Sequence, residues 1–230
     1  MMKTFMLRVA PPIDKAMKLS TYPIAFSLLM LHCNLRPAPP ANTGPTALPG
    51  DCNGPDQKVQ CFFINLPTNL GPVMTITARD EPGDRMIIRG RVKSDKGRTP
   101  YAGVLLYAYH TDITGHYATR DTSDNILNWH GRLHGWCRTD AEGRYEIHSI
   151  RPGAYPNGKA PAHIHAAVQL QNGAAFWIND FVFADDPHLD SSYFKLLGEP
   201  HNPKELDNGV VTLVPKEGVL VGARDIVIRE

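Results

Sequence analysis

Two histidines in the middle of the chain have the spacing of a metal site. His163 and His165 are separated by one apolar residue, and because side chains alternate sides along an extended strand, both project from the same face. With ten histidines in 230 residues, chance alone would produce about 0.4 such pairs, so the pair needs support from its surroundings. Tyr155 lies shortly before the pair in a Pro-Gly-x-Tyr sequence. These positions predict that the histidines bind one metal ion.

A longer pattern surrounds the pair, from residue 85 to residue 187. It contains Tyr117, the segment 138–147, the sequence Arg-Pro-Gly-Ala-Tyr that ends at Tyr155, and Pro-Ala-His-Ile-His at 161–165. This ordered set of two tyrosines and a His-x-His pair resembles the intradiol ring-cleavage dioxygenases, non-haem iron(III) enzymes that use O2 to open catechols to muconate-type diacids. The resemblance implies that Tyr117 and His165 are equatorial iron ligands and that Tyr155 and His163 are axial ligands. It also implies that Tyr155 is the ligand released when the catechol binds.

The two tyrosines favour iron(III) on chemical grounds as well. A phenol with a pKa of about 10 is protonated at neutral pH, and ionising it there costs about 4 kcal/mol, which a strongly Lewis-acidic ion offsets. Zinc prefers thiolate, imidazole and carboxylate ligands, so a zinc site would leave both tyrosines unexplained. Iron(III) with two phenolates and one hydroxide is electrically neutral. A catechol dianion can replace the hydroxide and one phenolate without changing that charge.

Other residues compete for these roles. Tyr155 could have a purely structural role, packing and hydrogen-bonding at the end of a strand without binding a metal. Tyr107 and Tyr109 could be mistaken for Tyr117, but they alternate within an apolar run and are typical of a packed strand face. Four further histidines are rival ligands, and each is expected to be a solvated loop residue or a wall of the substrate pocket. They are His110, His116, His130 and His134.

Two positions depart from the pattern of the family that the chain resembles. Members of that family usually carry an arginine three residues before the first ligand histidine, where this chain has Ala160, with Lys159 adjacent. They often place a glutamine near the iron seventeen positions after that histidine, where this chain has Asp180. We assign these three residues to the substrate pocket. Since groups around a metal site change activity by one or two orders of magnitude, substrate and turnover do not follow from the resemblance.

The N-terminal residues 1–33 resemble an export segment. Lys15 and Lys18 precede a mostly apolar stretch of 13 residues, 19–31, which is too short to span a bilayer but suits the core of a secretory signal. Met17 is an alternative start. Cys33 follows at the position where a lipoprotein is cleaved and lipidated, which would attach the protein to a membrane, although His32 is larger than the residues preferred there. A cell-envelope lipoprotein, cleaved soluble export and no export therefore all stay open.

Residues 34–50 contain five prolines and almost no large apolar side chain, which predicts an extended tether. Beyond it, Cys52 and Cys61 either close a disulfide in an oxidising compartment or remain two thiols. Cys137 is expected to be a buried thiol.

Residues 51–230 are expected to form one all-β domain, a β-sandwich core of the intradiol dioxygenase type with long loops. The chain is 42% hydrophobic, which is enough for a packed core, and its net charge of +1 gives no sign of nucleic-acid binding. Short strand-like runs alternate with turn sequences such as Asp-Ala-Glu-Gly at 140–143, and residues 190–197 predict one short helix. The predicted strands are 86–93, 104–109, 144–150, 162–170, 176–183, 210–214 and 224–229.

A different class of function also fits part of the sequence. The segments around 90–104, 139–145 and 152–155 resemble the transthyretin-like modules of surface proteins, which bind or space rather than catalyse. A third hypothesis is a hydrolase that uses another metal at His163 and His165. Tyr117 and Tyr155 discriminate between them, because the iron enzyme requires both tyrosines deprotonated and the binding module requires neither. The ring substituents of the substrate and the oligomeric state do not follow from the sequence.

Overall fold

Short strands build two sheets in the part of the chain that the computed structural model describes, which is residue 52 and residues 58–96, 98–117, 130–197 and 204–229. These residues lie in one compact unit, Thr43–Glu230. The expected export segment 1–33 and tether 34–50 fall outside the described residues and stay predictions. Within the described ranges, no helix has the length and apolar character needed to cross a membrane.

The elements follow one another in chain order, with residues 110–133 between β3 and β4 and residues 151–162 between β5 and β6. The strands are β1 Val73–Thr75, β2 Arg85–Ser94, β3 Leu105–Tyr109, β4 His134–Arg138, β5 Arg144–Ile150, β6 His163–Gln169, β7 Ala175–Trp177, β8 Phe181–Phe183, β9 Val210–Val211, β10 Val214–Lys216, β11 Val219–Ala223 and β12 Ile226–Ile228, with a 3₁₀ helix Val59–Phe63 before β1 and one helix, α1 Ser191–Leu197, after β8.

The first sheet has the order β1-β5-β2-β11-β10, and β12 also pairs with β2. Its centre is the antiparallel pair of β2 and β5, in register from Arg85 opposite Ile150 to Arg91 opposite Arg144. Gly143 precedes β5 at φ +71°, and a side chain there would lie 2.6 Å from the carbonyl oxygen of Val92. The close approach of two backbones at this turn therefore requires glycine.

The second sheet has the order β4-β3-β6-β8-β9, with β7 also paired to β6. Every residue of β3 is buried, because one face packs between the sheets and the other lies under the 3₁₀ helix. The disulfide between Cys52 and Cys61 is formed and joins residue 52 to the middle of that helix. Phe62 of the helix packs on Tyr107 with ring centroids 5.1 Å apart.

The core between the sheets contains the inward side chains of both, such as Ile88, Ile147, Leu106 and Ile164, all with no exposed surface. Cys137 is buried there as a free thiol, as predicted. The β-sandwich prediction is confirmed. The expected strands at 86–93, 104–109, 144–150, 162–170 and 224–229 correspond to β2, β3, β5, β6 and β12, and the helix at 190–197 corresponds to α1.

Two predicted strands are wrong in their extent. Residues 176–183 form two strands, β7 and β8, because the backbone of Asn179 between them is bound by Glu205 and Arg224 instead of by a neighbouring strand. Residues 210–214 contain all of β9 and the first residue of β10, because the chain crosses here from the second sheet to the first. Three strands were not predicted, namely β1, β4 and β11.

Candidate metal centre

Strand β6 places the two histidines on one face. Ile164 lies between them and is fully buried in the core between the sheets. The Nε2 atoms of His163 and His165 are 3.1 Å apart, as the alternation of a strand predicts. The strand is held on both sides, since His163 pairs with Val182 of β8 and His165 pairs with Tyr109 of β3.

Two loops place the tyrosines. The segment after β3 that carries Tyr117 and the loop that carries Tyr155 approach each other through their backbones, because a side chain on Gly115 would lie 1.9 Å from the carbonyl oxygen of Ala154. Hydrogen bonds join the same loops: the Thr111 hydroxyl donates to the Gly153 carbonyl at 2.7 Å. The glycines therefore set the approach that brings both tyrosine rings to the end of β6.

Four donor atoms converge at this place. The hydroxyl oxygens of Tyr117 and Tyr155 are 2.5 Å apart, and His165 Nε2 lies 3.1 Å from the first and 3.2 Å from the second. His163 Nε2 completes the group through His165 Nε2. Two phenol oxygens and two imidazole nitrogens at these separations surround a point that one ion could occupy.

Hydrogen bonds on the far side of each ring fix which nitrogen faces that point. His163 Nδ1 donates to the carbonyl oxygen of Pro161 at 2.7 Å. His165 Nδ1 lies 3.0 Å from a carboxylate oxygen of Asp180. Because both Nδ1 atoms carry the proton toward these acceptors, both Nε2 lone pairs are directed to the donor cluster, which is the arrangement of a metal-binding histidine.

Asp180 therefore accepts a hydrogen bond from one of the candidate metal ligands, His165, and is not itself a candidate ligand. His163, His165 and Asp180 have metal-binding atoms within 4.8 Å of one another. However, Asp180 faces Nδ1 of His165, whereas the tyrosines face Nε2 of the same ring. An ion held between the tyrosines and the histidines is on the opposite side of the imidazole from the carboxylate.

Without an ion, the protein environment keeps both phenols and the His163 imidazole neutral. Burial raises the pKa of Tyr117 well above its usual range, and the hydrogen bond to Tyr155 adds to that increase. Burial also raises the pKa of Tyr155 and lowers the pKa of His163. Ionising both phenols here therefore requires a cation that stabilises phenolate more strongly than water does.

The two alternative tyrosines lie in β3, as predicted. Tyr107 is fully buried, and its hydroxyl is 2.8 Å from Nδ1 of His130. Tyr109 stacks on His130 with centroids 3.7 Å apart and on His165 at 4.8 Å. Tyr109, His130 and the partly exposed Trp177 thus form an aromatic wall beside His165.

The expectation that each of the other histidines is either a solvated loop residue or a wall of the pocket is wrong for two of them, His110 and His134. His116 is exposed, but His110, His130 and His134 are buried. Each buried ring has polar partners that replace water: His110, for example, contacts the Thr111 carbonyl and the Ser149 hydroxyl. Only His130 lies in the wall beside His165, as the second expectation for these histidines allowed.

The buried histidines should make folding sensitive to moderate acid. Burial lowers the pKa of His110 to about 4 and that of His130 to about 3, whereas both titrate near pH 6.5 in the unfolded chain. The unfolded state therefore binds more protons between pH 6.5 and about 4, and the free energy of unfolding falls by about 1 kcal/mol per pH unit for each histidine. Urea denaturation from pH 7 to pH 4.5 measures this slope. His110→Gln and His130→Gln should each flatten it, and an unchanged slope in both variants would contradict the assignment.

The three residues assigned to the substrate pocket are placed differently from one another. Asp180 contacts His165 directly, Ala160 is half-buried ahead of β6, and Lys159 is exposed. Sequence reasoning missed the place of Tyr109 and Trp177 in the aromatic wall and the hydrogen bond that His165 donates to Asp180. Apart from His130, only the two tyrosines of β3 indicated this wall in the sequence.

Comparisons with known proteins agree with this geometry. Residues 61–196, which include all four donors, match the family model described as Dioxygenase. The chain is 34% identical over 113 residues to the protocatechuate 3,4-dioxygenase beta chain of Burkholderia cepacia, covering 46% of this chain and 48% of that protein. It is 32% identical over 150 residues to chlorocatechol 1,2-dioxygenase of Rhodococcus opacus, covering 56% of each. The chain thus spans about half the length of these relatives.

Among solved structures, chlorocatechol 1,2-dioxygenase from Pseudomonas putida superposes with a TM-score of 0.52 at 21% identity, covering 73% of this chain and 71% of that one. Hydroxyquinol 1,2-dioxygenase from Pseudomonas putida DLL-E4 gives a TM-score of 0.51 at 21% identity, covering 77% and 66%. At this identity the likeness concerns the fold, whereas the family match rests on the sequence. The chain belongs to the intradiol ring-cleavage dioxygenase family.

Proposed function

We propose that the protein is an iron(III)-dependent intradiol dioxygenase that cleaves a catechol-type aromatic with O2 to a muconate-type diacid. The observation that carries the proposal is the convergence of the Tyr117 and Tyr155 hydroxyls with Nε2 of His163 and His165, in neighbouring pairs 2.5 to 3.2 Å apart. The two sequence relatives named above are dioxygenases of protocatechuate and chlorocatechol, which supports the substrate class.

The donor set suits ferric iron. Two phenol oxygens with raised pKa values would be poor ligands for a weakly Lewis-acidic ion, because such an ion would not offset the free energy of deprotonating them. Two phenolates and two neutral imidazoles leave one positive charge on iron(III), so an anionic diol is attracted to the site. When bound, the iron would hold both oxygens of the diol and make the ring reactive toward O2.

The residues of the chain would then have separate tasks. Tyr117, His163 and His165 would hold the ion, and Asp180 would keep the His165 ring in the orientation that ligation requires. Tyr155, which lies on a loop and is only half-buried, would be the ligand that the diol displaces and would accept one proton of the diol at its hydroxyl oxygen. The aromatic wall of Tyr109, His130 and Trp177 keeps water from that side of the site.

Oxygen consumption and product analysis test the proposal. Apo-protein loaded with iron(III) should consume one O2 for each catechol and form a ring-opened diacid containing two oxygen atoms from ¹⁸O2. The same protein loaded with zinc should do neither, which is the matched control. Stoichiometric iron binding with no cleavage of catechol, methylcatechol, hydroxyquinol or protocatechuate would refute the enzyme and favour the non-catalytic binding module.

A further inference from the structure

A buried ion pair lies behind the segment that carries Asp180. Arg224 and Glu205 are joined by a hydrogen bond of 2.7 Å, and their side chains are 3% and 0% exposed. Arg224 follows β11, and Glu205 lies between α1 and β9. Both therefore come from parts of the chain that are distant in sequence from β6 and the metal centre.

The pair binds both backbone polar groups of one residue, Asn179. Asn179 N–H donates to the second oxygen of Glu205 at 2.5 Å, and Arg224 Nη1 donates to the Asn179 carbonyl oxygen at 2.9 Å. These contacts take the place of strand pairing at Asn179, between β7 and β8. The next residue along the chain is Asp180, whose carboxylate contacts His165.

Arg224 is itself held in one position. Its Nε donates to Asp207 at 2.9 Å, and its guanidinium lies over the ring of Phe181, 4.2 Å from the centroid. Its backbone carbonyl accepts a hydrogen bond from the Tyr145 hydroxyl at 2.7 Å. A planar group with donors in fixed directions, bound on three sides, transmits a defined position to what it contacts.

Gly209 closes the remaining side of the segment. A side chain on Gly209 would lie 2.0 Å from the carbonyl oxygen of Asp180, and the Gly209 carbonyl accepts the N–H of Val182 at 3.0 Å. The backbone on both sides of the Asp180 side chain is thus fixed by contacts from residues 205–209 and from Arg224.

We propose that Arg224, together with Glu205, is a positioning residue for the metal centre, which acts through Asn179 and Asp180 on the orientation of the His165 ring. Replacing a buried ion pair by apolar side chains is often neutral for stability, so a role in placing Asp180 accounts for its presence better than stability does. The inference rests on the proposed function, because it concerns how His165 presents Nε2 to iron(III).

A double-mutant cycle on iron affinity tests the inference with Arg224→Lys and Asp180→Asn in the full-length chain. Lysine keeps the charge but cannot bind Glu205, Asp207 and the Asn179 carbonyl together. Each single change should weaken iron(III) affinity by about 10- to 100-fold and shift the visible absorption band. The double variant should bind iron no more than about threefold more weakly than the weaker single variant, since both changes act on one ring.

Additive losses in the cycle, or wild-type affinity and absorption in Arg224→Lys, would overturn the inference. Ile147→Val is the matched control, because it removes a methyl group from the core, on a strand that pairs with neither β7 nor β8. It should lower the thermal midpoint and leave iron affinity unchanged.

Hydrogen exchange of the metal-free protein gives a second measurement. The Asn179 amide should be protected in the wild type and in Ile147→Val, and should exchange at least about tenfold faster in Arg224→Lys. Glu205→Gln gives the same test if Arg224→Lys does not fold. Equal protection in all variants would refute the positioning role. A wild-type protein that binds no iron would instead refute the proposed function, and the exchange result would still decide whether Arg224 fixes Asn179.

Discussion

Replacing Tyr155 with phenylalanine is expected to lower catechol turnover by about 100-fold or more while leaving the fold intact. The change removes one phenolate from the proposed iron site and the group that accepts a proton of the diol. The ring itself is retained, and its edge contact with His163 at 5.1 Å needs no hydroxyl. Loss of turnover with unchanged thermal stability would therefore report chemistry and not packing.

Tyr117→Phe is expected to act on iron retention as well as on turnover. Its hydroxyl contacts both Tyr155 and His165. In the proposed mechanism Tyr117 stays bound while Tyr155 is released, so Tyr155 cannot take over its role in holding the ion. The wild-type protein with iron(III) should absorb visible light through charge transfer from phenolate to iron, and each substitution should shift or weaken that band. Tyr101→Phe is the control, since Tyr101 lies before β3, at the end opposite the site.

A colourless protein that retains stoichiometric zinc and no iron would contradict the ferric assignment. An unchanged absorption band in both Tyr117→Phe and Tyr155→Phe would contradict the ligand assignment, even if iron were bound. Metal analysis and absorption spectra of the three variants, recorded at the same iron loading, separate these outcomes.

The parts of the fold that were predicted from sequence are those with a local cause. Strands β2 and β5 alternate inward apolar and outward charged residues, and the turn between β4 and β5 ends in a glycine that its backbone requires. Strand β4 has no such signal, since its sequence is His-Gly-Trp-Cys-Arg. Gly135 is needed there because a side chain would lie 2.8 Å from Met74, a residue 61 positions away. A contact of that kind cannot be read from a local pattern.

The site divides in the same way. The common face of His163 and His165 follows from the period of a strand, and the tyrosines were assigned from the family pattern. The burial of His110 depends on Ser149, which is 39 residues further along the chain. The contact of Asp180 with His165 depends on a backbone bend that Glu205 and Arg224 hold. Polar groups become buried only where distant residues satisfy their hydrogen bonds, so these partners are visible in the structure and not in the local sequence.

The second large effect concerns substrate charge. Ala160 stands where related enzymes usually carry an arginine, and Asp180 places a carboxylate against His165. A carboxylate on the substrate ring about 8 Å from Asp180 would be repelled by about 2 kcal/mol at an effective dielectric constant of about 20, equivalent to about 30-fold in kcat/KM. We therefore expect catechol and methylcatechol to be cleaved faster than protocatechuate, although one relative is a protocatechuate 3,4-dioxygenase chain.

Steady-state oxygen uptake on these three substrates measures the preference, and two variants locate its cause. Asp180→Asn should reduce the discrimination against protocatechuate, because the amide keeps the volume and removes the charge. Ala160→Arg should raise kcat on catechol, because a fixed guanidinium would stabilise the negative charge that develops on the ring, which the exposed and flexible Lys159 does less well. Faster turnover of protocatechuate by the unmodified protein would show that the charges around the site have been misread. The four iron ligands would still stand, because the spectra of the tyrosine variants test them independently.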